Sequence, residues 1–465
     1  MASLERVCLV MCCTRAGQML LSIAILVSTV SAQDTDVAPI IELLGENDKE
    51  FRALAFEQIR TAAPGEDATK AFAATLGDLP PGTQVELLSA LAARKDPAAG
   101  PEVRKLLNDT SDAPVRVAAI KALGTLGGAE DLPALVTAMS DTAEEQAAAR
   151  RSLILLPGDA ASQAMVNQLS GATSETQIAI VEILTTRRAR TTVPAIMELA
   201  RSDDASVRAA AMKALGELGE EQHVAGMVQG VLKAERGRER SNAEKMIMLV
   251  CHRIEDPQQR ADALLAAMDE LPDDQREVLF STLGRVGGPD ALEVIEDKLA
   301  AGNFDERDTA LTALCNWPDA SVAFRLLELA RTEEDAGHRR RALRALIRVA
   351  PLPDDREDGL RLDLMRTAMA MCEVDDDRML ILERAKAVRT VETLRYVLPF
   401  TRQDPFIEQA CLTVVELAHH SGLREAHRDE FHEALDQVIQ ISEDATTKDR
   451  AQRYKKGETW VRPKS

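Results

Sequence analysis

The chain has 465 residues, a formal net charge of −20 and only 3% aromatic residues. A chain this long does not close around one compact core, and a surface this acidic repels nucleic acid and anionic lipid at long range. Scarce aromatics remove the stacking platforms used for bases or sugars, and the abundance of Ala, Leu, Glu and Arg at helical spacing points to an all-α fold.

At the N-terminus, Arg6 and Arg15 precede an apolar run from Met19 to Val30, and Val30-Ser31-Ala32 is followed by the polar Gln33-Asp34. This is the layout of a secretory signal peptide over residues 1–32, cut after Ala32. The run of about twelve apolar residues is shorter than the roughly twenty that span a bilayer. An exported location, periplasmic or extracellular, is therefore expected, with an uncleaved N-terminal anchor as the alternative. Loss of the leader removes Arg6 and Arg15 against Glu5, which takes the charge to −21. Beyond the leader stand Cys251, Cys315, Cys372 and Cys411, each inside an apolar helical run and none in a CxxC pair. They are expected as buried free thiols acting as small apolar fillers.

A short polar linker, 33–39, leads to a repetitive region, 40–441, clearest over 88–350 and irregular over 351–441. One unit of it is Asp112 to Asp141. Val115, Ala118, Ala119, Ala122, Leu123 and Leu126 share one helical stripe. Gly127-Gly128 ends that helix with residues able to take φ > 0. Leu132, Leu135, Val136 and Met139 then form a second stripe, with Pro133 in its first turn, where a missing N–H costs nothing. Neither helix is long enough to stand alone, so the pair must be stacked on others. The same text returns at Asp204 to Leu232. The VRVAAIKAL-type helix is named B and the PALVTAM-type helix A. The leucine closing each B stripe marks the period: Leu91, Leu123, Leu153, Leu184, Leu215, Leu249, Leu283, Leu314 and Leu346, at intervals of 30 to 34 residues. About ten to twelve helix pairs are expected, with the aromatic stretch near Phe51 as a cap.

Seven residues before these markers stand Arg116, Arg208, Arg276, Arg307 and Arg339, with Gln84, Gln146, Gln177 and Asn242 at the remaining positions. Asp112, Asp204 and Asp335 precede three of the arginines by four residues, in the text D-A-x-[VH]-R. An aspartate there is a natural N-cap for helix B. An arginine one turn later offers its fork to the aspartate of its own or an adjacent repeat, which makes a structural ladder. Where an amide replaces arginine, the ladder continues as neutral hydrogen bonds.

The pattern D-x-x-V-R-x-x-A-x-x-A-L-G, a turn and then a P-A-L helix resembles the HEAT repeat, and most closely the short bacterial form first noted in phycobilisome lyases. The resemblance implies a right-handed α-α superhelix, with B helices lining a concave face on which partners are held. Lyase members attach bilins to phycobiliproteins, but the likeness is to the repeat alone, and a fold does not fix a function.

No constellation in the chain is built for catalysis. His419, His420, His427 and His432 fall together with Glu416 and Asp429, yet His427 and His432 are five apart and no H-E-x-x-H spacing occurs. They are expected as solvated helix-end residues, so that no catalytic, cofactor or metal site is expected. Residues 442–465 lack an apolar stripe and are expected as a mobile tail, in which 446–465 carry a net charge of +5. Tyr454, Lys455, Lys456 and Trp460 are the candidates for docking on an acidic surface of this molecule or of a partner. The expected function is an exported, non-enzymatic scaffold that binds protein through its concave face, without nucleic acid and with no membrane contact beyond the export signal. An accessory or chaperone-like subunit of an exported enzyme is one alternative. The other is a bilin-lyase-like or metal-dependent enzyme with a groove site.

Overall fold

The computed structural model describes residues 37–46, 48–301 and 303–461. The expected leader, 1–32, and the first residues of the linker lie outside the described residues. The described residues form 28 α-helices joined by turns and short 3-10 segments, without a strand among them. None of these helices is long and apolar enough to cross a membrane. The chain divides into two compact units, with the boundary between Pro157 and Gly158.

The first unit consists of four A/B pairs: α1 (Ala38–Leu44) with α2 (Lys49–Thr61), α3 (Glu66–Ala74) with α4 (Pro81–Arg94), α5 (Gly100–Asp109) with α6 (Ala113–Leu126), and α7 (Leu132–Ala138) with α8 (Ala143–Leu155). The second unit begins with α9 (Asp159–Leu169) and α10 (Ser174–Thr186), α11 (Val193–Leu199) and α12 (Ala205–Leu218), and α13 (Val224–Lys233) and α14 (Arg238–Cys251). In the next pair α15 (Asp262–Asp269) precedes a B helix broken into α16 (Asp273–Val278) and α17 (Phe280–Val286). There follow α18 (Pro289–Ala301) with α19 (Phe304–Cys315), α20 (Ala323–Thr332) with α21 (Ala336–Val349), α22 (Asp358–Met371) with α23 (Asp375–Ala385), and α24 (Val391–Val397) with α25 (Ile407–Ala418). The short α26 (Ser421–Ala426) leads into the last pair, α27 (Arg428–Ile441) and α28 (Ala445–Lys455). Within each unit the B helices lie side by side in chain order, and A helices such as α5, α13, α20 and α27 pack on the B helix that follows them.

The core is the set of apolar stripes between these layers. Leu91, Leu123, Leu153, Leu184, Leu215, Leu283, Leu314 and Leu346 are all fully buried. Leu249 is not: it is 43% exposed, and Ile247 takes the core position in α14 at 0%. The run Met246–Val250 is apolar throughout, so spacing alone does not separate the two, and the residues that lengthen this repeat lie after α14 rather than before it. Gly127 also differs from expectation. Its φ is −85°, and its need for glycine is steric, since a Cβ would stand 2.6 Å from both the Leu123 carbonyl and the Asp131 carboxylate. Gly287 and Gly288, at φ +73° and +100°, do use positive φ in the equivalent turn.

The four cysteines beyond the leader are free thiols. Burial pushes Cys251 up to about 12 and Cys315, Cys372 and Cys411 up to about 11. None is therefore a thiolate near neutral pH.

The described part of the expected tail, 442–461, is not mobile throughout. Within it Ala445–Lys455 form α28, the B helix of the last pair, which buries Thr447, Ala451 and Tyr454 against α25 and α27.

Candidate functional site

The polar residues singled out in the repeats meet at the turn from helix A to helix B. Asp112 accepts from the Val115 N–H at 3.0 Å, Asp204 from Ser206 and Val207 at 2.8 and 3.1 Å, and Asp335 from His338 at 2.8 Å. Each carboxylate thus takes up N–H groups that the first turn of a helix leaves unpaired. These bonds hold two of the carboxyls below their usual range. For Asp204 the Ser174 hydroxyl is the largest cause and the backbone donors follow; for Asp335 the His338 N–H is the largest.

With the aspartates occupied as caps, the arginines do not fork onto them as expected. Arg116 forks onto Glu145 at 3.1 and 3.0 Å and reaches the Leu107 carbonyl at 3.3 Å. The hydrogen bond to Glu145 is the main reason its pKa is raised. Arg208 forks onto Glu239 at 2.9 and 3.1 Å and donates to the carbonyls of Ser202 and Asp203 at 2.9 and 3.0 Å. Arg307 joins the Leu299 carbonyl at 2.6 Å and Glu333 at 2.8 Å. Arg339 donates to the Glu333 and Glu334 carbonyls at 2.9 and 2.6 Å, and Arg276 to those of Met268, Asp269 and Leu271 at 3.2, 3.4 and 3.2 Å.

The shared acceptors are carbonyls at the end of the preceding A helix and in the turn just after it, where C=O groups lack helical partners. Gln84, Gln146 and Gln177 serve it too, donating to Leu76, Met139 and Leu169 at 2.8, 3.0 and 3.0 Å. The glutamates that complete the forks are the addition that spacing did not predict: Glu145 and Glu239 lie in the first turns of the next B helices. Asn242 does not belong to this series. With Ile247 as the core residue of α14, the equivalent position is Arg240, which donates twice to the Ala234 carbonyl, at 3.1 and 2.7 Å. The same bridge recurs in the irregular region, from Arg378 to Cys372 at 2.8 Å, while Arg424 of α26 reaches the end of the B helix α25 at the Ala418 carbonyl, at 2.6 Å.

A second set of arginines was not singled out in the sequence. At the C-terminal ends of α4, α14 and α21, Arg94 donates to Ala62 and Ala63 at 3.0 and 2.8 Å, Arg253 to Gly216 and Gly219 at 2.7 and 2.5 Å, and Arg348 to Cys315 and Trp317 at 3.0 and 2.6 Å. All six acceptors are carbonyls at the end of the preceding B helix. Burial lowers the pKa of Arg94 and Arg348. The available signal was an arginine a few residues past the core stripe in some of the repeats, as at Arg94, Arg253 and Arg348.

Two cavities open in the second unit. One, of about 400 Å³, lies between the N-terminal halves of α12 and α14 and the end of α13, and is lined by Ala209, Ala210, Met212, Gly230, Ala243 and Met246, with Lys213 and Asn242 also on its wall. The other, of about 630 Å³, lies where α18 meets α19 and α20 meets α21. There Phe304 stacks on His338 with ring centroids 5.2 Å apart, and His338 Nε2 stands 3.1 Å from Asp308.

The sequence model of HEAT repeats matches residues 69–154 and 162–248. These two stretches are HEAT repeats. Curated proteins provide no match to it. Among solved structures it is similar to Kap121p, with a TM-score of 0.48, 12% identity, and 91% of this chain and 52% of that one covered. It is also similar to Kap121p bound to Pho4p, with a TM-score of 0.45, 10% identity and coverage of 88% and 54%. A third similar structure is the complex of CpcE and CpcF of phycocyanin lyase from Nostoc sp. PCC7120, with a TM-score of 0.21, 16% identity and coverage of 70% and 98%. The chain thus spans about half the length of the Kap121p chains it matches.

The last helix pair of the HEAT array accounts for the histidine-rich stretch and the basic end. Asp444 caps α28 by accepting from Thr447 at 2.6 Å, as Asp335 caps α21. Tyr454 is 2% exposed; its hydroxyl is 2.9 Å from His419 Nδ1, and Arg424 and Arg450 lie over its ring. Arg450 pairs with Glu416 at 2.7 Å and also covers Trp460, whose indole N–H donates to Asp449 at 3.0 Å. Lys455 pairs with Asp436 at 2.5 Å. Of the docking candidates, Tyr454, Lys455 and Trp460 are therefore engaged within this chain, while Lys456 is exposed. His419 and His420 pack edge to face, with centroids 5.6 Å apart. Among the described residues no three His, Cys, Asp or Glu side chains are grouped to hold a metal ion.

Proposed function

We propose that the chain is an exported, non-enzymatic HEAT-repeat scaffold that holds a protein partner along its row of B helices, the face expected to be concave. The observation that carries this reading is the division of labour among its polar residues. The arginines and glutamines at the A-to-B turns are engaged with helix ends and neighbouring glutamates. The outward stripes of the B helices, such as Ala209, Lys213 and Glu217 on α12 and Arg238, Asn242, Lys245 and Leu249 on α14, are exposed and take no part in that framework. A row of such stripes is an extended surface of the kind repeat arrays use for binding.

Export rests on the basic residues, short apolar run and small-residue cleavage site of residues 1–32. Mass spectrometry of the purified protein should find an N-terminus at Gln33, and an intact leader would replace export with anchoring. Crosslinking in the exported fraction should return protein partners of the full-length chain, and one stoichiometric enzyme among them would make this an accessory subunit. Stoichiometric zinc or copper in the purified protein would overturn the non-enzymatic reading.

A further inference from the structure

We propose that the cavity between α12 and α14 is the anchor point for the partner, taking an aliphatic side chain from a segment that carries carboxylates beside it. This inference rests on the scaffold reading and narrows it to one place and one chemistry.

The cavity exists because of the residues around it. Its walls are the small side chains of Ala209, Ala210 and Ala243. Its floor is Met212 and Met246, each lying against a glycine: a Cβ on Gly230 would be 2.5 Å from the Met212 sulfur, and one on Gly216 would be 2.6 Å from the Met246 sulfur. The two glycines let both methionines lie flat and leave the space above them open. Methionine floors adapt to inserted apolar groups because the side chain is unbranched and polarisable. At one end Arg208 and Glu239 close the wall as a forked pair and so add no net charge.

Charge selects the occupant. The exposed stripes that flank the cavity carry Lys213 on α12 and Arg238 and Lys245 on α14, against Glu217 alone. None of these three basic residues has a carboxylate within ion-pair distance among the described residues, and Leu249 adds an exposed apolar surface to the same stripe. The basic residues of α21, further along the B row, are already committed. On α21, Arg340 and Arg344 bind Asp377, Arg341 binds Asp308, and Arg348 binds the backbone end of α19. On a chain of net charge −20, unpaired basic residues around an apolar cavity favour a carboxylate-bearing segment at this place.

The test uses the full chain and a fluorescein-labelled synthetic peptide with two central leucines flanked by glutamates. A lysine-flanked copy and dodecanoate serve as competing probes. The glutamate-flanked peptide should bind. Ala210→Phe, which fills the cavity from a half-buried helix position on its wall, should weaken it at least about tenfold, the loss of a central anchor. The pair Lys213→Glu and Lys245→Glu should weaken it similarly and favour the lysine-flanked peptide, with circular dichroism unchanged in both variants. Absence of binding, equal binding by Ala210→Phe, or binding of dodecanoate but not of the peptide would overturn the proposal. Failure of the scaffold reading shows separately: the wild-type chain then crosslinks to no protein, whereas equal crosslinking by wild type and Ala210→Phe removes only the anchor.

Discussion

Arg208 is the most heavily committed of the turn arginines. It is 4% exposed, forks onto Glu239 and donates to two carbonyls of the turn that follows the preceding A helix. Arg208→Ala leaves those carbonyls and a partly covered carboxylate without their donor, at an expected cost of about 2 kcal/mol in urea unfolding, below the full value of a buried pair because Glu239 keeps some contact with water. Arg276 occupies the same offset but makes longer carbonyl contacts and one ion pair at 3.7 Å, with Asp273 on the surface. Arg276→Ala should cost under about 1 kcal/mol. Equal losses from the two variants would show that position, rather than contact geometry, sets the effect.

Acid should reveal the same pair. Burial by itself raises the pKa of Glu239, but the hydrogen bond from Arg208, the Glu235 N–H and the nearby positive charge bring it below the ordinary value. A carboxyl lowered by folding stabilises the folded chain fully above the unfolded pKa, about 4.3 for Glu. That contribution disappears as pH falls through the lower folded value. Stability measured from pH 6 down through the carboxyl range should therefore fall less steeply in Glu239→Gln than in the wild type; an unchanged slope would show that Glu239 gains nothing from Arg208.

At the scale of single helices, α14 and α28 show what was legible in the sequence. The all-α class, the A/B alternation, the capping aspartates and most core leucines follow from period and composition, because each is a local property repeated many times. The register of α14 does not follow, since Met246–Val250 offers an apolar residue at every offset and only packing chooses Ile247 over Leu249. Ile247→Ala should cost about 3 kcal/mol and Leu249→Ala under about 1 kcal/mol. The reverse order would restore the marker read from spacing.

The last B helix was missed for a different reason. Its text D-A-T-T-K repeats the D-A-x-[VH]-R signal only in part, with threonine for valine or histidine and lysine for arginine, and its buried face is only Thr447, Ala451 and Tyr454, too thin for a periodic pattern. Tyr454→Phe removes the hydroxyl contact with His419 and should cost about 1 kcal/mol, whereas Tyr454→Ala should cost about 3 kcal/mol. Truncation after Glu443 should destabilise the chain at least as much as Tyr454→Ala. Unchanged urea unfolding on truncation would return residues 444–461 to the status of an appendage.

For the molecule as a whole, the consequence of this architecture is that stability is local. In the second unit each B helix packs on the B helices before and after it in the row. The arginine bridges join each turn to its own A helix, to the next repeat or to the previous one. An array coupled only through nearest neighbours distributes a lesion over adjacent repeats and leaves distant ones intact. Native-state hydrogen exchange of Arg208→Ala should therefore speed up in α11 to α14, where the lost bonds lie, and keep wild-type protection in α25, α27 and α28. If protection in α25, α27 and α28 instead fell by the same free energy as in α12, the second unit would unfold as one cooperative body, and the turn arginines would act on its global stability instead of registering one repeat on the next.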